Sequence, residues 1–368
     1  ILFCITIIIT SSYVYMYIFS TVWYTFVYCR RTDNRLSAII NFSVGVSSTI
    51  AFCKFMFMYL FEDKVREIIA GYLVCDSLIV PGSQFEKNIL KTMRFVKKRA
   101  MIFWIVIISN GAIYMLKPLF TPGRHFPEDD FILYRLDPMF ESPNYEIAIF
   151  LFSASIGLTV FLSSNITAFL IIITGYVEAQ LLALSQEILQ IWDDTKENST
   201  NVETFEDLKQ LEDQNEDNET INNLIRDRLK NIVKIHVINM NLIQQVEAVF
   251  RGAIAVEFIL LFISITAVLL GGLENTYLEL PYSLMQVAVD CFTGQRLIDA
   301  CVNFETAVYF CKWENFDTQN RQTVLLILHI SQKTLTLSAG GLSTLSFPCL
   351  MSVLNSIYST FTTLHSAL

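Results

Sequence analysis

Charge is scarce in this sequence. Only 17% of its 368 residues are Asp, Glu, Lys or Arg, and the 26 basic residues are outnumbered by 35 acidic ones. No basic patch is available for phosphates, so nucleic acid is excluded as a partner. Histidine occurs four times, at His125, His236, His329 and His365, far apart in the chain. The eight cysteines form no C-x-x-C pair. Neither a zinc site nor a disulfide scaffold is therefore expected, and no cofactor is implied. Cys4, Cys53 and Cys349 read as small buried hydrophobes. A Ser-His-Asp set, an H-E-x-x-H helix, a glycine-rich phosphate loop and paired catalytic carboxylates are all missing, so an enzyme is not expected.

What the chain has in excess is apolar surface. Hydrophobic residues make up 53% of it, Phe alone numbers 29, and they are blocked into runs of membrane-spanning length. Seven spans are expected: from Ile1 to about Tyr28, Leu36 to Phe61, Ala100 to Phe120, Tyr145 to Val177 with a polar extension to Trp192, Gly252 to Leu273, Pro281 to Phe310, and Ser346 to Leu364. An amphipathic helix, Arg321 to Leu337, precedes the last. The first run carries no basic stretch and no small-residue cleavage site, so it is expected to span rather than act as a signal peptide, with the native start lying upstream of Ile1. The fold class is all-α and integral to the membrane.

The net charge of −9 is concentrated in one segment. Eleven acids fall between Asp193 and Glu219, opposed only by Lys196 and Lys209, and a solvated acidic loop over 193–220 is expected. Lys and Arg also set the orientation. Eighteen lie in the connections between spans two and three, four and five, and six and seven, against six on the opposite side. The basic side is expected to be cytoplasmic, with the N-terminus inside and the C-terminus extracellular. This is the inverse of a G-protein-coupled receptor. The chain also lacks an acid-Arg-Tyr triplet after the third span, and Asn355-Ser-Ile-Tyr358 lacks that family's proline.

The order of motifs from Gly294 onward is specific. It runs Gly294-Gln295, Tyr309-x-x-x-Trp313, Arg321 ahead of an apolar run, Ser331-Gln332-Lys333, Ala339-Gly340, Leu345-Ser346 and Ser356-Ile-Tyr358-Ser359. His236 ahead of the fifth span and the Pro- and Tyr-bearing stretch Pro138 to Tyr145 add weaker echoes. Over nearly its whole length the chain resembles the insect odorant receptors, seven-span proteins of inverted topology. The Thr-Tyr and Gln-Phe ending of the related gustatory receptors is absent. The resemblance implies a subunit of a ligand-gated, non-selective cation channel, a hetero-tetramer with the olfactory co-receptor in the plasma membrane of a sensory dendrite. It implies helices 1–6 over 1–310 with a pocket for small volatile odorants, a cytoplasmic anchor over 311–337, and a pore-lining helix over 338–368.

For the pocket, positions a few turns below the outer surface are the candidates: Val44, Ser48, Asn110, Tyr114, Leu158, Thr159, Tyr282 and Met285. Together they offer apolar walls and a few hydrogen-bonding groups, as a site for small volatiles requires. For the pore, Ser352, Asn355, Ser359, Thr363 and Ser366 recur at steps of three and four on one helix face. Such hydroxyls either line a wet lumen or bond to backbone carbonyls. The family's apolar gate aligns near Thr363, beside Leu364, so either Leu364 or the co-receptor is expected to close the pore. Charges inside spans need partners. Arg296 and Asp299 are spaced for a local pair, Asp290 is a less natural neighbour, and Lys54 and Glu257 read as isolated.

Overall fold

The computed structural model describes residues 2–203 and 214–367, with side chains described except at 2, 3, 197–203, 214–218, 273, 275 and 367. Nearly everything described is helical. Helix α1 covers 2–32 as alternating α and π turns, including the π segments Val14–Ser20 and Tyr24–Tyr28. It is followed by α2 (Arg35–Leu60), α3 (Glu62–Ser77), α4 (Gln84–Leu116), α5 (Asn144–Glu203), α6 (Gln214–Leu270), α7 (Glu279–Tyr309), α8 (Thr318–Ser331) and α9 (Phe347–Ala367). A two-residue antiparallel ladder, Ser338–Ala339 with Ser343–Thr344, brackets Gly340-Gly341 just before α9.

Local chemistry sets several starts. The Asn34 side chain accepts from the Ser37 amide and caps α2. At α4, Ser83 accepts from the Glu86 amide at 3.1 Å while Glu86 accepts from the Gly82 amide at 2.6 Å, a reciprocal cap. Asp317 does the same for α8 through the Asn320 amide at 2.7 Å. Pro281 sits in the first turn of α7, where its missing N–H breaks no helix bond.

Among the described residues, five helical stretches are long and apolar enough to cross a membrane: Cys4–Thr32, Arg35–Leu60, Gln84–Phe120, Asn144–Lys196 and Glu219–Leu270. Helix α7 has the length but carries Asp290, Arg296, Asp299 and Glu305. In α9 the polar stripe lowers the hydropathy.

Packing divides the molecule into two ends. At one end, α1 and α5 hold the loop over 121–143 through Tyr13, Met16, Phe126, Phe131, Leu133 and Phe152. Tyr24 and Tyr15 hydroxyls donate to the Asp130 and Tyr134 carbonyls. At the other end the extensions of α5, α6 and α7 pack with α8 around Leu184, Ile188, Leu229, Ile232, Phe304 and Ile327. There buried His236 packs at a tilt against Phe304, ring centres 4.7 Å apart.

Several expectations are corrected. The acidic stretch is not all loop: helix continues to Glu203 and resumes at Gln214, and residues 204–213 lie outside the described residues. Asp193 and Asp194 are paired, with Lys312 at 2.7 Å and with Arg228 at 3.1 Å. The helix ahead of the last span runs from Thr318 to Ser331 rather than from Arg321 to Leu337, and residues 332–337 lead as non-helical chain to the ladder at Ser338-Ala339. Cys53 is half-buried and Cys4 exposed, since Cys4 lies at the outward-facing start of α1; Cys349 is buried.

The charged residues are not paired as expected either. Asp299 accepts from Gln295 one turn back at 2.8 Å, and Arg296 reaches across to Glu178 on α5 at 2.8 Å. Glu178 is almost fully buried and also takes Arg99 of α4 at 2.5 Å, so a buried carboxylate draws both guanidinium groups. Lys54 and Glu257 are not isolated. They meet at 2.5 Å, with Asp290 3.8 Å from the same ammonium and the Thr167 hydroxyl accepting from it at 2.9 Å.

Candidate functional site

A cavity opens at the loop end between α1, α2, α4, α5 and the start of α7. Its empty volume is about 420 Å³, open mouth included. Six of the eight sequence-derived positions line it: Val44 and Ser48 from α2, Asn110 and Tyr114 from α4, Thr159 from α5 and Tyr282 from α7. Leu158 and Met285 do not. One residue of helix turns a side chain by roughly 100°, so Leu158 faces the loop-end cluster while Thr159 faces the cavity. Met285 packs instead beside Phe103 and Ile107 of α4. Gly111 contributes by its lack of a side chain: a Cβ there would strike Val160 of α5, so the close crossing of α4 and α5 at the cavity wall depends on it.

Tyr17, Ser47 and Glu279 also line the cavity and were not anticipated. The expectation drew on spans two, three, four and six, which left out α1 and with it Tyr17. Glu279 had a legible signal, an acid two residues ahead of Pro281 at the mouth of an apolar run.

Several polar groups of the cavity wall are held in place. Asn110 Nδ2 donates to the Leu278 carbonyl at 3.0 Å. The Tyr114 hydroxyl donates to Glu128 Oε1, also at 3.0 Å, so the 121–143 loop closes over this side. Burial holds the Glu128 carboxyl above the ordinary carboxylate value, against the pull of nearby Lys117 and the Tyr114 hydrogen bond. Glu279 Oε2 lies 2.7 Å from the Ser43 hydroxyl.

From the cavity, one face of α7 runs toward the opposite end in steps of four. Tyr282 lies in the cavity wall; Gln286 accepts from the Ser163 hydroxyl at 3.1 Å; Asp290 belongs to the Lys54 cluster; Gly294 meets the chain just ahead of α9. A Cβ at Gly294 would overlap the backbone of Leu345. The Gln295 side chain on the next position accepts from the Phe347 amide at 3.2 Å, in the first turn of α9. Cavity, buried ion cluster and last helix are thus joined along a single rigid element.

On α9 itself Ser352, Asn355, Ser359, Thr363, Leu364 and Ser366 are all exposed in the single chain. The Thr363 hydroxyl donates to the Ser359 carbonyl and the Ser366 hydroxyl to the Thr363 carbonyl, each at 2.8 Å. A hydroxyl bonded in this way still presents its lone pairs outward. At Thr363 and Ser366, backbone bonding and outward exposure therefore coexist. Among the described residues no group of His, Cys, Asp and Glu is arranged to hold a metal ion.

Comparison with known proteins connects these features. The family model described as 7tm Odorant receptor matches residues 34–358. Odorant receptor 22c of Drosophila melanogaster is 25% identical over 232 residues, covering 61% of this chain and 54% of that protein, so the match spans about half the relative's length. The solved structure of the insect olfactory receptor OR5 from Machilis hrabei superposes with a TM-score of 0.75 at 15% identity, over 98% of this chain and 87% of that one. The same receptor in complex with eugenol gives 0.71 at 16% identity, over 90% and 82%. At these identities the structural likeness speaks for the fold.

Proposed function

The chain belongs to the 7tm odorant receptor family, a multi-pass membrane protein, and from that premise we propose that it is the odorant-binding subunit of a ligand-gated, non-selective cation channel. In this reading it crosses the plasma membrane of a sensory dendrite seven times, N-terminus inside and C-terminus outside. It assembles as a hetero-tetramer with the olfactory co-receptor. Residues 1–310 carry the ligand cavity, 311–337 the cytoplasmic anchor, and 338–368 this subunit's share of the pore. The observation that carries the reading is the continuity of α7, which lines the cavity at Tyr282 and abuts the approach to α9 at Gly294. The eugenol complex of the Machilis receptor supports a small-molecule ligand.

The mechanism follows from linkage. An odorant opens the channel only as far as it binds the open arrangement more tightly than the closed one. Filling the cavity shifts Tyr282, and α7 carries the shift along its buried polar face, which is bonded to α5 through Gln286 and to α2 through Asp290, whose partner Lys54 also holds Glu257 of α6. That motion is delivered to Leu345 and α9. The exposed hydroxyl face of α9 lines the conducting path with Ser352, Asn355, Ser359, Thr363 and Ser366, and Leu364 or the co-receptor supplies the apolar closure.

Single-channel recording of the co-expressed pair tests this assignment. Ser359→Ala and Thr363→Ala each remove a hydroxyl that hydrates passing ions, and both are expected to lower conductance and shift relative cation permeability. Identical conductance and permeability in both variants would take α9 of this subunit out of the pore wall.

A further inference from the structure

A groove runs over α5, between α4 and α7, at the end of the bundle away from the cavity. Its empty volume is about 940 Å³, open mouth included. On each helix the lining residues recur at i, i+3, i+4 and i+7, so three straight faces lie side by side. Their polar groups include Asn88 and Lys91 of α4, Gln186 of α5, and Asn303 and Thr306 of α7. Followed toward the apolar part of the bundle, the same faces reach Arg99, Glu178 and Arg296. Glu178 accepts from one nitrogen of Arg99 and from Nε and Nη2 of Arg296. One carboxylate therefore serves two guanidinium groups, and further N–H groups of both remain. Arg99 is 22% exposed and Arg296 41%, so neither is sealed off.

Lys91 adds a third cation on the groove wall, and exposed Lys87, Arg94 and Lys98 continue along its rim. The other acid on these faces is Asp299, whose Oδ1 accepts from Gln295 at 2.8 Å. Past the guanidinium pair the walls turn apolar. Ile102 of α4 and Phe292 of α7 are 49% and 37% exposed, and the Arg99 guanidinium lies 5.6 Å over the Phe292 ring. Cations at the foot of an apolar wall, opening into a polar groove, match the order of parts in a lipid. We propose that this groove binds an anionic phospholipid of the cytoplasmic leaflet. Its phosphodiester meets Arg99 and Arg296, its acyl chain lies against Ile102 and Phe292, and its head extends down the groove toward Lys91. Lys91 lies eight residues along α4 from Arg99, about 12 Å. A phosphorylated inositol head spans that stretch, whereas a serine or choline head stops short. Basic pockets between helices on the cytoplasmic side are suited to such heads. The leaflet, but not the site, rests on the orientation proposed above.

The test photolabels the purified complex with the co-receptor, using a phosphatidylinositol bisphosphate with a photoreactive group on one acyl chain. Mass spectrometry reads the labelled residues of this chain separately from those of the co-receptor. Label is expected on α4 beside Ile102 and on α7 beside Phe292. Unlabelled phosphatidylinositol bisphosphate should displace it at roughly tenfold lower concentration than phosphatidylserine. Phosphatidylcholine should displace it least, and soluble inositol trisphosphate, which has no chain, less well than the lipid. Lys91→Glu is expected to weaken displacement roughly tenfold. Lys97→Glu makes the same charge change on the opposite face of α4 and is expected to leave it unaltered. Equal losses in the two variants would reduce the site to diffuse attraction by a basic surface and overturn the inference. So would displacement by phosphatidylcholine at the same concentration, or the absence of label from both stretches, as when a neighbouring subunit covers the groove. Soluble inositol trisphosphate acting as well as the lipid would leave an anion site and overturn the lipid. Lipid bound in this pattern by a complex that passes no current upholds the inference and sinks the channel reading. Reaction of Lys87→Cys with a membrane-impermeant thiol reagent on intact cells would overturn the leaflet and the inverted topology together.

Discussion

Lys54→Met is expected to destabilise the subunit by about 3–5 kcal/mol, the usual consequence of removing one partner from a buried ion pair. Lys54 is 5% exposed, and it faces Glu257 at 2.5 Å and Asp290 at 3.8 Å, each 1% exposed. The variant leaves two carboxyls of α6 and α7 facing each other with no cation between them. On a protein of ordinary marginal stability that loss is a large fraction of the whole. Delivery to the cell surface and the melting temperature in detergent should both fall steeply. The triple variant Lys54→Met, Glu257→Leu, Asp290→Leu should recover most of the loss, because an apolar set of similar volume carries no desolvation penalty. Wild-type stability in the single variant would mean that the cluster is not ion-paired in the membrane. Full stability in the triple variant together with lost gating would assign the cluster to coupling α2, α5, α6 and α7 rather than to holding them together.

Gly294→Ala is expected to abolish odorant-evoked current while leaving odorant binding in place. The added Cβ overlaps the Leu345 carbonyl and Cβ, and Leu345 is fully buried with its amide bonded to the Leu337 carbonyl at 2.8 Å. Backbone does not yield as a flexible side-chain tip does, so the approach to α9 must move. Overpacking of this kind typically costs about 1–3 kcal/mol, too little to unfold the bundle and enough to displace its last helix. Ligand-induced thermal stabilisation should persist in the variant because the cavity lies three turns of α7 away. Wild-type currents from Gly294→Ala would show that α7 and α9 move independently.

The sequence made the helical class legible because apolar runs of spanning length are hard to mistake, and the motif order from Gly294 onward carried the family. Six cavity positions were reachable because depth along a span and helical phase locate a side chain to within about one residue. Leu158 and Met285 mark the limit: Leu158 lies one rotational step off the cavity face, and Met285 lies about one helical turn beyond Tyr282, past the end of the cavity. The buried ion cluster was out of reach for a different reason. Its members come from four helices, with 113 residues separating Lys54 from Thr167, and no periodicity links such positions. The same holds for Ser43 and Glu279, 236 residues apart. The pairing of Arg296 went astray because spacing within one helix names the nearest partner, whereas a nearly buried Glu178 on another helix has more to gain from the charge. Tyr17 lies on α1, outside the spans that carry the expected pocket positions.

The most direct test of the account is current in excised membrane patches bearing this chain and the olfactory co-receptor, with GTP withheld and a broad panel of volatiles applied. The account predicts odorant-evoked, poorly selective cation currents that persist without G-protein signalling and are absent when either subunit is omitted. Currents that vanish without GTP, or that the co-receptor alone reproduces with the same odorant profile, would contradict it.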